Sequence, residues 1–258
     1  MHLPEDIRRA CLAAFLLLPP LLSGCASHSP PATLDLGGQR IAYRLQGQGP
    51  GPTVVLQAGL GDSQQVWSEL TPRLVARYRV FSLDRPGYGG SPRTTVPRDP
   101  CTQARELHAS LRAAGAAPPY LLVGHSLGGL YQHAFARLYP GEVAGLLLIE
   151  PTHPDHWVTL EREAPALAAL VRAMRATAFT PVMRAEFDAQ GVCLDSLPAL
   201  PDGPPPARLL RRSAFPLMEQ GSFAAMVGRL WEDWRRLGGL QGNDLQPGDD
   251  HHQQRSQP

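Results

Sequence analysis

The chain has 258 residues, a formal net charge of +1 and a hydrophobic content of 43%. The near balance of 24 basic and 23 acidic residues argues against a nucleic-acid-binding protein, because such proteins normally concentrate a basic surplus in one region. Its 25 glycines and 27 prolines stay below the ~25–30% that is typical of disordered low-complexity chains. Length and composition therefore favour one sizeable folded domain.

The N-terminal segment has the pattern of an export signal. Two arginines precede an apolar run, Ala10–Leu22, which is shorter than the ~20 residues that span a bilayer as a helix. The run ends in Leu22-Ser23-Gly24-Cys25, which resembles the bacterial lipobox, whose cysteine becomes the lipidated first residue. The resemblance implies a signal peptide over residues 1–24 and an exported protein that acyl chains on Cys25 attach to a membrane. Ala26 favours the periplasmic side of the outer membrane, and an ordinary cleaved signal with a chance cysteine is the alternative.

Two further cysteines, Cys101 and Cys193, remain in the mature chain. An oxidising periplasm permits a disulfide between them, but the sequence leaves this pairing open. The sequence has neither a Cys-x-x-Cys pair nor a His and Cys cluster at metal-ligand spacing. We therefore expect no metal and no cofactor.

Alternating and continuous apolar runs indicate the fold class. Residues 25–32 predict a tether, and a single domain is expected over residues 33–258, starting with a hairpin around Gly37-Gly38. Continuous apolar runs separated by helical stretches predict parallel strands covered on both faces. The predicted strands are Thr53–Gln57, Val80–Leu83, Tyr120–Val123 and Gly145–Ile149, and helices are predicted at Val66–Ala76 and Cys101–Ala114. The predicted fold is α/β, with a doubly wound and mostly parallel sheet.

A G-x-S-x-G motif, Gly124-His125-Ser126-Leu127-Gly128, lies between a predicted strand and a predicted helix. A sharp turn between the two elements holds a serine in a strained backbone conformation with its hydroxyl exposed. Neighbouring backbone then leaves no room for side chains two positions to either side, which explains the two glycines. The N-terminus of the helix favours a developing negative charge. The motif predicts Ser126 as a nucleophile.

With this motif the chain resembles the α/β-hydrolase superfamily from about residue 34 to residue 150, and in particular exported bacterial serine hydrolases of the esterase and lipase type. The segment Leu56–Gly61 stands where the family has its oxyanion loop, although Ala58 replaces the usual histidine. The resemblance implies that the backbone N–H groups of Leu60 and Leu127 form the oxyanion hole.

A second family motif, the D-R-x-G-x-G-x-S turn, is matched by Asp84–Ser91. We assign Asp84 and Arg85 to holding this turn and not to catalysis.

A serine nucleophile needs a base, and the base needs an orienting carboxylate. Glu150 ends the strand that follows the nucleophile helix, where some relatives, haloalkane dehalogenases among them, place the acid of their triad. Ligands of open parallel sheets collect at the C-terminal ends of strands, which favours this position. Asp155 is the alternative acid, and the structural alternative for Glu150 is a cap on the following loop.

The base is expected near the C-terminus, because the family has the order serine, acid, histidine. The segment His251–Pro258 is similar to the Gly-His segment of relatives, although Asp250 replaces the glycine. We therefore expect His251, or its neighbour His252, to be the base. The family normally adds a closing helix here, so we expect an incomplete C-terminal part of the fold.

A cap insertion is expected over about residues 152–215. Its apolar residues recur at helical spacing, which favours a cap helix packed on the core over a mobile lid. The stripe consists of Leu160, Ala164, Leu167, Val171, Met174 and Ala178. Beyond it, Trp231, Trp234 and Leu237 are also helically spaced, and we expect them in the core.

These observations predict a lipid-anchored serine hydrolase that cleaves a carboxylic ester of a small molecule through an acyl-enzyme. Its partners would be this substrate and a membrane, with no nucleic acid. An amidase or peptidase remains open, because the same residues serve amide bonds. A non-catalytic lipoprotein that keeps the fold as a binding module is the alternative from another class, because fold alone does not imply function.

Overall fold

The computed structural model describes residues 30–212 and 220–237. Within these residues, seven strands form one sheet: β1 (Ala32–Leu36), β2 (Gln39–Gln46), β3 (Thr53–Gln57), β4 (Val80–Leu83), β5 (Tyr120–His125), β6 (Val143–Ile149) and β7 (Ala207–Leu210). Their order in the sheet is β1-β2-β4-β3-β5-β6-β7. The pairs β1–β2 and β2–β4 are antiparallel, and all the others are parallel.

Helices connect the parallel strands. Those of the described residues are α1 (Thr71–Leu74), α2 (Pro100–Ala113), α3 (Leu127–Leu138), α4 (His156–Glu163), α5 (Pro165–Thr177), α6 (Pro181–Asp188) and α7 (Ser222–Leu237). All residues of β3 and β4 are buried, as expected for central strands covered on both faces. The predicted α/β fold with a mostly parallel sheet is confirmed, including the N-terminal hairpin. None of the helices in the described part of the chain combines the length and apolarity that a bilayer span requires.

Two predicted boundaries are wrong, and each has a physical reason. The stretch Val66–Ala76 is not one helix but a 3₁₀ turn at Gln64–Trp67 followed by α1. Pro72 has no N–H to continue a helix, so it occupies the first turn of a new one. The insertion ends near residue 206 and not near 215, because the chain returns to the sheet as β7. This edge strand is short and carries an exposed arginine, so its pattern is weak.

The insertion forms α4, α5 and α6, which we call the cap. Its predicted apolar stripe is divided between α4 and α5, because Pro165 starts a new helix. A disulfide joins Cys193 at the end of the cap to Cys101 in the first turn of α2, with their Cα atoms 6.3 Å apart. The pairing that the sequence left open therefore exists, and it ties the cap to the layer that covers the sheet.

Helix α7 packs with α4 against the core. Trp231 and Trp234 are buried as their spacing predicts, and the Trp231 indole donates a hydrogen bond to the Pro151 carbonyl (3.3 Å). The rings of His133 and His153 meet Trp234 edge-on, with ring centroids 4.8 and 5.6 Å away. Burial lowers the pKa of His133 to about 3, helped by repulsion from nearby cationic groups, and it also lowers the pKa of His153.

The buried His133 makes stability depend on pH. Because its pKa in the folded state lies below that of the unfolded chain, the unfolded state binds the proton more tightly. The contribution of neutral His133 to the free energy of unfolding is complete above pH 6.5. It is lost as the pH falls below this value, by about 1.4 kcal/mol per pH unit. In urea unfolding between pH 6.5 and 5, the variant His133→Asn should show a shallower pH dependence than the wild type. Equal slopes would contradict this.

Candidate active site

Ser126 occupies the corner between β5 and α3, and it has φ 52° and ψ −122°. A positive φ is strained for a residue with a side chain, and such strain concentrates at functional sites. Three backbone hydrogen bonds hold it: its N–H donates to Ile149, and its carbonyl accepts from Gly129 and Thr152 at 2.9–3.0 Å. The residue as a whole is half-buried.

The glycines of the motif are required by close backbone contact. A Cβ on Gly124 would lie 2.5 Å from the carbonyl oxygen of Gly128, and a Cβ on Gly128 would lie 2.3 Å from that of Gln57. Both distances are far below ordinary contact, and backbone cannot move aside cheaply. The physical reason for the two glycines is therefore confirmed.

Gly128→Ala should displace the corner that carries Ser126, because its Cβ overlaps backbone of the loop after β3. We expect the second-order rate of labelling by a fluorophosphonate to fall by at least about tenfold, with a loss of roughly 1–3 kcal/mol of stability from overpacking. Gly141→Ala is the matched control, because a Cβ there meets nothing within 4 Å. Equal labelling of the two variants would contradict the prediction.

The loop after β3 lies against Ser126. A Cβ on Gly59 would be 3.2 Å from the Cβ of Ser126, so the peptide between Gly59 and Leu60 adjoins the corner. Leu127 is the first residue of α3, and N–H groups of a first turn have no partner within their helix. The structure thus brings together Ser126 and the backbone of both predicted oxyanion donors, whose role stays a prediction.

The D-R-x-G-x-G-x-S turn is held by its own side chains. Asp84 accepts hydrogen bonds from the N–H groups of Gln64 (2.8 Å) and Gly90 (2.9 Å), which agrees with a structural role. Arg85 reaches further, because it binds the loop beside Ser126 and also Glu186 of α6. Burial opposes the charge of Arg85, but Glu186 raises its pKa above the ordinary value. Nothing in the sequence pattern singled out Glu186, which lies in the cap.

Glu150 stands at the C-terminal end of β6 with φ 45°, and its N–H donates to Leu210 of β7 (2.8 Å). Its carboxylate accepts a hydrogen bond from Nε of Arg212 (2.8 Å) and forms an ion pair with the same guanidinium, whose Nη2 lies 2.7 Å away. The alternative acid, Asp155, has a side chain that is 73% exposed, at the start of α4. The position at the strand end is therefore the more enclosed of the two. Arg212 was missed because it follows an unrecognised strand.

The predicted base, His251, lies outside the described residues, as do His252 and the lipidation site Cys25. Within residues 30–212 and 220–237, no imidazole is hydrogen-bonded to the Ser126 hydroxyl. His108 pairs with Glu142 (3.1 Å), and His153 accepts the N–H of Asp155 (3.0 Å). His133 and His153 are buried, whereas His125, next to Ser126 in the motif, and His156 are half-buried. The assignment of His251 stays a prediction.

Comparison with known proteins agrees with this geometry. Residues 52–190, more than half of the chain, match the α/β hydrolase fold family, and the chain belongs to this family. It is 33% identical to the uncharacterized protein YqjL of Bacillus subtilis over 105 residues, which are 41% of this chain and 42% of that protein. It is 35% identical to the (lyso)-N-acylphosphatidylethanolamine lipase of Mus musculus over 101 residues, 38% of this chain and 30% of the lipase. The matched region thus spans less than half of either relative.

Solved structures show the same fold. The crystal structure of a membrane phospholipase A superposes with a TM-score of 0.56, at 21% identity, over 88% of this chain and 86% of that one. At this identity the likeness concerns the fold alone. The chain is thus a member of the α/β-hydrolase family, and its Ser126 lies at the corner between β5 and α3.

Proposed function

We propose that this protein is a serine hydrolase that cleaves a carboxylic ester through an acyl-enzyme intermediate. The observation that carries the proposal is the strained, half-buried Ser126 at the corner between β5 and α3. A serine is held in this conformation, at a cost of roughly 1–3 kcal/mol, where the surrounding structure over-determines it. Membership of the hydrolase family and the lipase among its relatives support the same reaction.

In this mechanism the Ser126 hydroxyl attacks the ester carbonyl carbon, and its proton passes to the imidazole of His251. The N–H groups of Leu60 and Leu127 stabilise the oxyanion, and Glu150 orients the imidazole. The alcohol leaves with the proton from the imidazolium, which leaves the acyl group on Ser126. Water then attacks the acyl-enzyme with the same base and releases the acid.

The Ser126→Ala variant tests the nucleophile. We expect the wild type to be labelled by a fluorophosphonate and to hydrolyse p-nitrophenyl esters, and Ser126→Ala to lose both.

Replacing His251 and His252 by alanine one at a time should identify the base, because loss of a general base lowers the rate by roughly 10²–10⁴. Unchanged turnover in both histidine variants would contradict the assignment of His251.

Two outcomes separate the alternatives. Folded wild-type protein that is not labelled would favour a binding module over an enzyme. Hydrolysis of p-nitroanilides at a rate comparable to that of the matched esters would favour an amidase.

We also propose that the protein is exported and anchored to a membrane by acyl chains on Cys25. The lipobox-like sequence motivates this, and the disulfide between Cys101 and Cys193 supports an oxidising compartment. Several acyl chains anchor firmly, because each buried methylene contributes about 0.8 kcal/mol.

The Cys25→Ser variant should lose incorporation of radiolabelled palmitate and move from the membrane fraction to the soluble fraction of a diderm bacterial host. Cys11→Ser is the matched control, because this cysteine lies within the predicted signal and should leave labelling intact. Palmitate incorporation into Cys25→Ser would contradict the proposed anchor.

A further inference from the structure

A buried ion pair joins the cap to the loop beside Ser126. Nε of Arg85 lies 2.8 Å from Oε1 of Glu186, and the two side chains are 2% and 0% exposed. Glu186 also accepts hydrogen bonds from the Tyr88 hydroxyl and the Gln103 amide, both at 2.8 Å. A charge pair so fully removed from water is tolerated only when both ions are well hydrogen-bonded. The guanidinium of Arg85 therefore has one fixed position.

The two terminal nitrogens of this guanidinium hold two consecutive carbonyl groups, and Nη2 also donates to Oε2 of Glu186 (3.1 Å). Nη1 donates to Ala58 and Nη2 to Gly59, both at 2.7 Å. The Gly59 carbonyl and the Leu60 N–H belong to the same peptide unit, which is trans. In a planar trans peptide these two groups point in opposite directions. The bond from Arg85 therefore sets the direction of the Leu60 N–H.

We propose that Arg85 and Glu186 are positioning residues of the oxyanion hole, an inference that rests on the proposed hydrolase function. Glu186 fixes the guanidinium, and the guanidinium fixes the peptide whose N–H faces the reacting carbonyl. A donor held in place before the reaction needs no reorganisation as charge develops. The charged bond to the Gly59 carbonyl also polarises this peptide and strengthens its N–H as a donor.

The proposal gives the cap a role in catalysis without contact with the reacting atoms. Glu186 lies in α6, and the Tyr88 hydroxyl that it binds also lies 3.4 Å from the N–H of Gly61 in the same loop. Two side chains bound to Glu186 therefore contact the oxyanion loop. Displacing α6 would release this loop from its supports.

The variants Arg85→Lys and Glu186→Gln test the proposal. A lysine ammonium lacks the planar fork that bonds two carbonyls, and a glutamine removes the charge that holds the fork. Because the donor is misaligned and not deleted, we expect kcat for a p-nitrophenyl ester to fall about 10–100-fold, less than the roughly 10²–10³ of a deleted donor. KM should change by less than about threefold, since the ground-state carbonyl gains little from this N–H.

Arg137→Lys is the matched control. Arg137, in the last turn of α3, also donates to two consecutive carbonyls, those of Leu197 and Pro198, at 2.7 Å each. It makes the same kind of fork at the opposite end of α3 from Ser126. Thermal unfolding establishes the temperature at which all variants are folded, and kcat of Arg137→Lys should then equal that of the wild type.

An alkyl boronic acid provides a second readout, because its tetrahedral adduct with Ser126 places an oxygen in the oxyanion hole. Its inhibition constant should rise in parallel with KM/kcat for Arg85→Lys and Glu186→Gln and stay constant for Arg137→Lys.

If the wild type is active and all three variants keep its kcat and boronate affinity, the positioning role is wrong and the hydrolase function stands. A fall in kcat for Arg137→Lys as large as that for Arg85→Lys and Glu186→Gln would also overturn the positioning role. A wild type that neither labels nor hydrolyses esters removes the proposed function and the inference together.

Discussion

The structure depends on close backbone contact at one corner of the sheet. The carbonyl oxygens of Gln57 and Gly128 lie where side chains on Gly128 and Gly124 would have to be. Only glycine at both positions lets β5 turn into α3 against the end of β3. The turn forces Ser126 to a positive φ, and hydrogen bonds from the adjoining chain hold it there. Backbone packing and backbone hydrogen bonds therefore place Ser126 at this corner.

The parallel pairing of the central strands gives this corner its surroundings. Because β3, β5 and β6 are neighbours and run in one direction, their C-terminal ends meet at the same edge. The loop after β3, Ser126 after β5 and Glu150 after β6 are thereby gathered from distant parts of the chain. The order of strands in the sheet, more than any single contact, assembles the candidate site.

The cap is bound to this site from two sides. The disulfide from Cys193 ties its end to α2, and Glu186 enters the interior to meet Arg85. A buried ion pair adds little net stability, because desolvation offsets attraction, but removing one partner leaves an uncompensated charge. Such a pair therefore favours one arrangement of the cap over others. This agrees with a packed cap, which the apolar stripe favoured over a mobile lid.

The sequence by itself determined the first six strands of the sheet, the hairpin and the corner that carries Ser126, because apolar runs and glycine spacing are local signals of backbone conformation. It did not reveal β7, the division of the predicted helix at Val66–Ala76, or the partners of Arg85 and Glu150. Arg212 and Glu186 reach the site only because the sheet order and the cap bring residues 62 and 101 positions apart into contact. Such contacts leave no periodic pattern, since one charged residue in a helix or strand resembles any exposed one. Only the tertiary structure decided them. An unpaired charge in the apolar interior is costly, so the buried Glu186 is paired with Arg85. The half-buried Glu150 meets Arg212 because β6 and β7 end side by side.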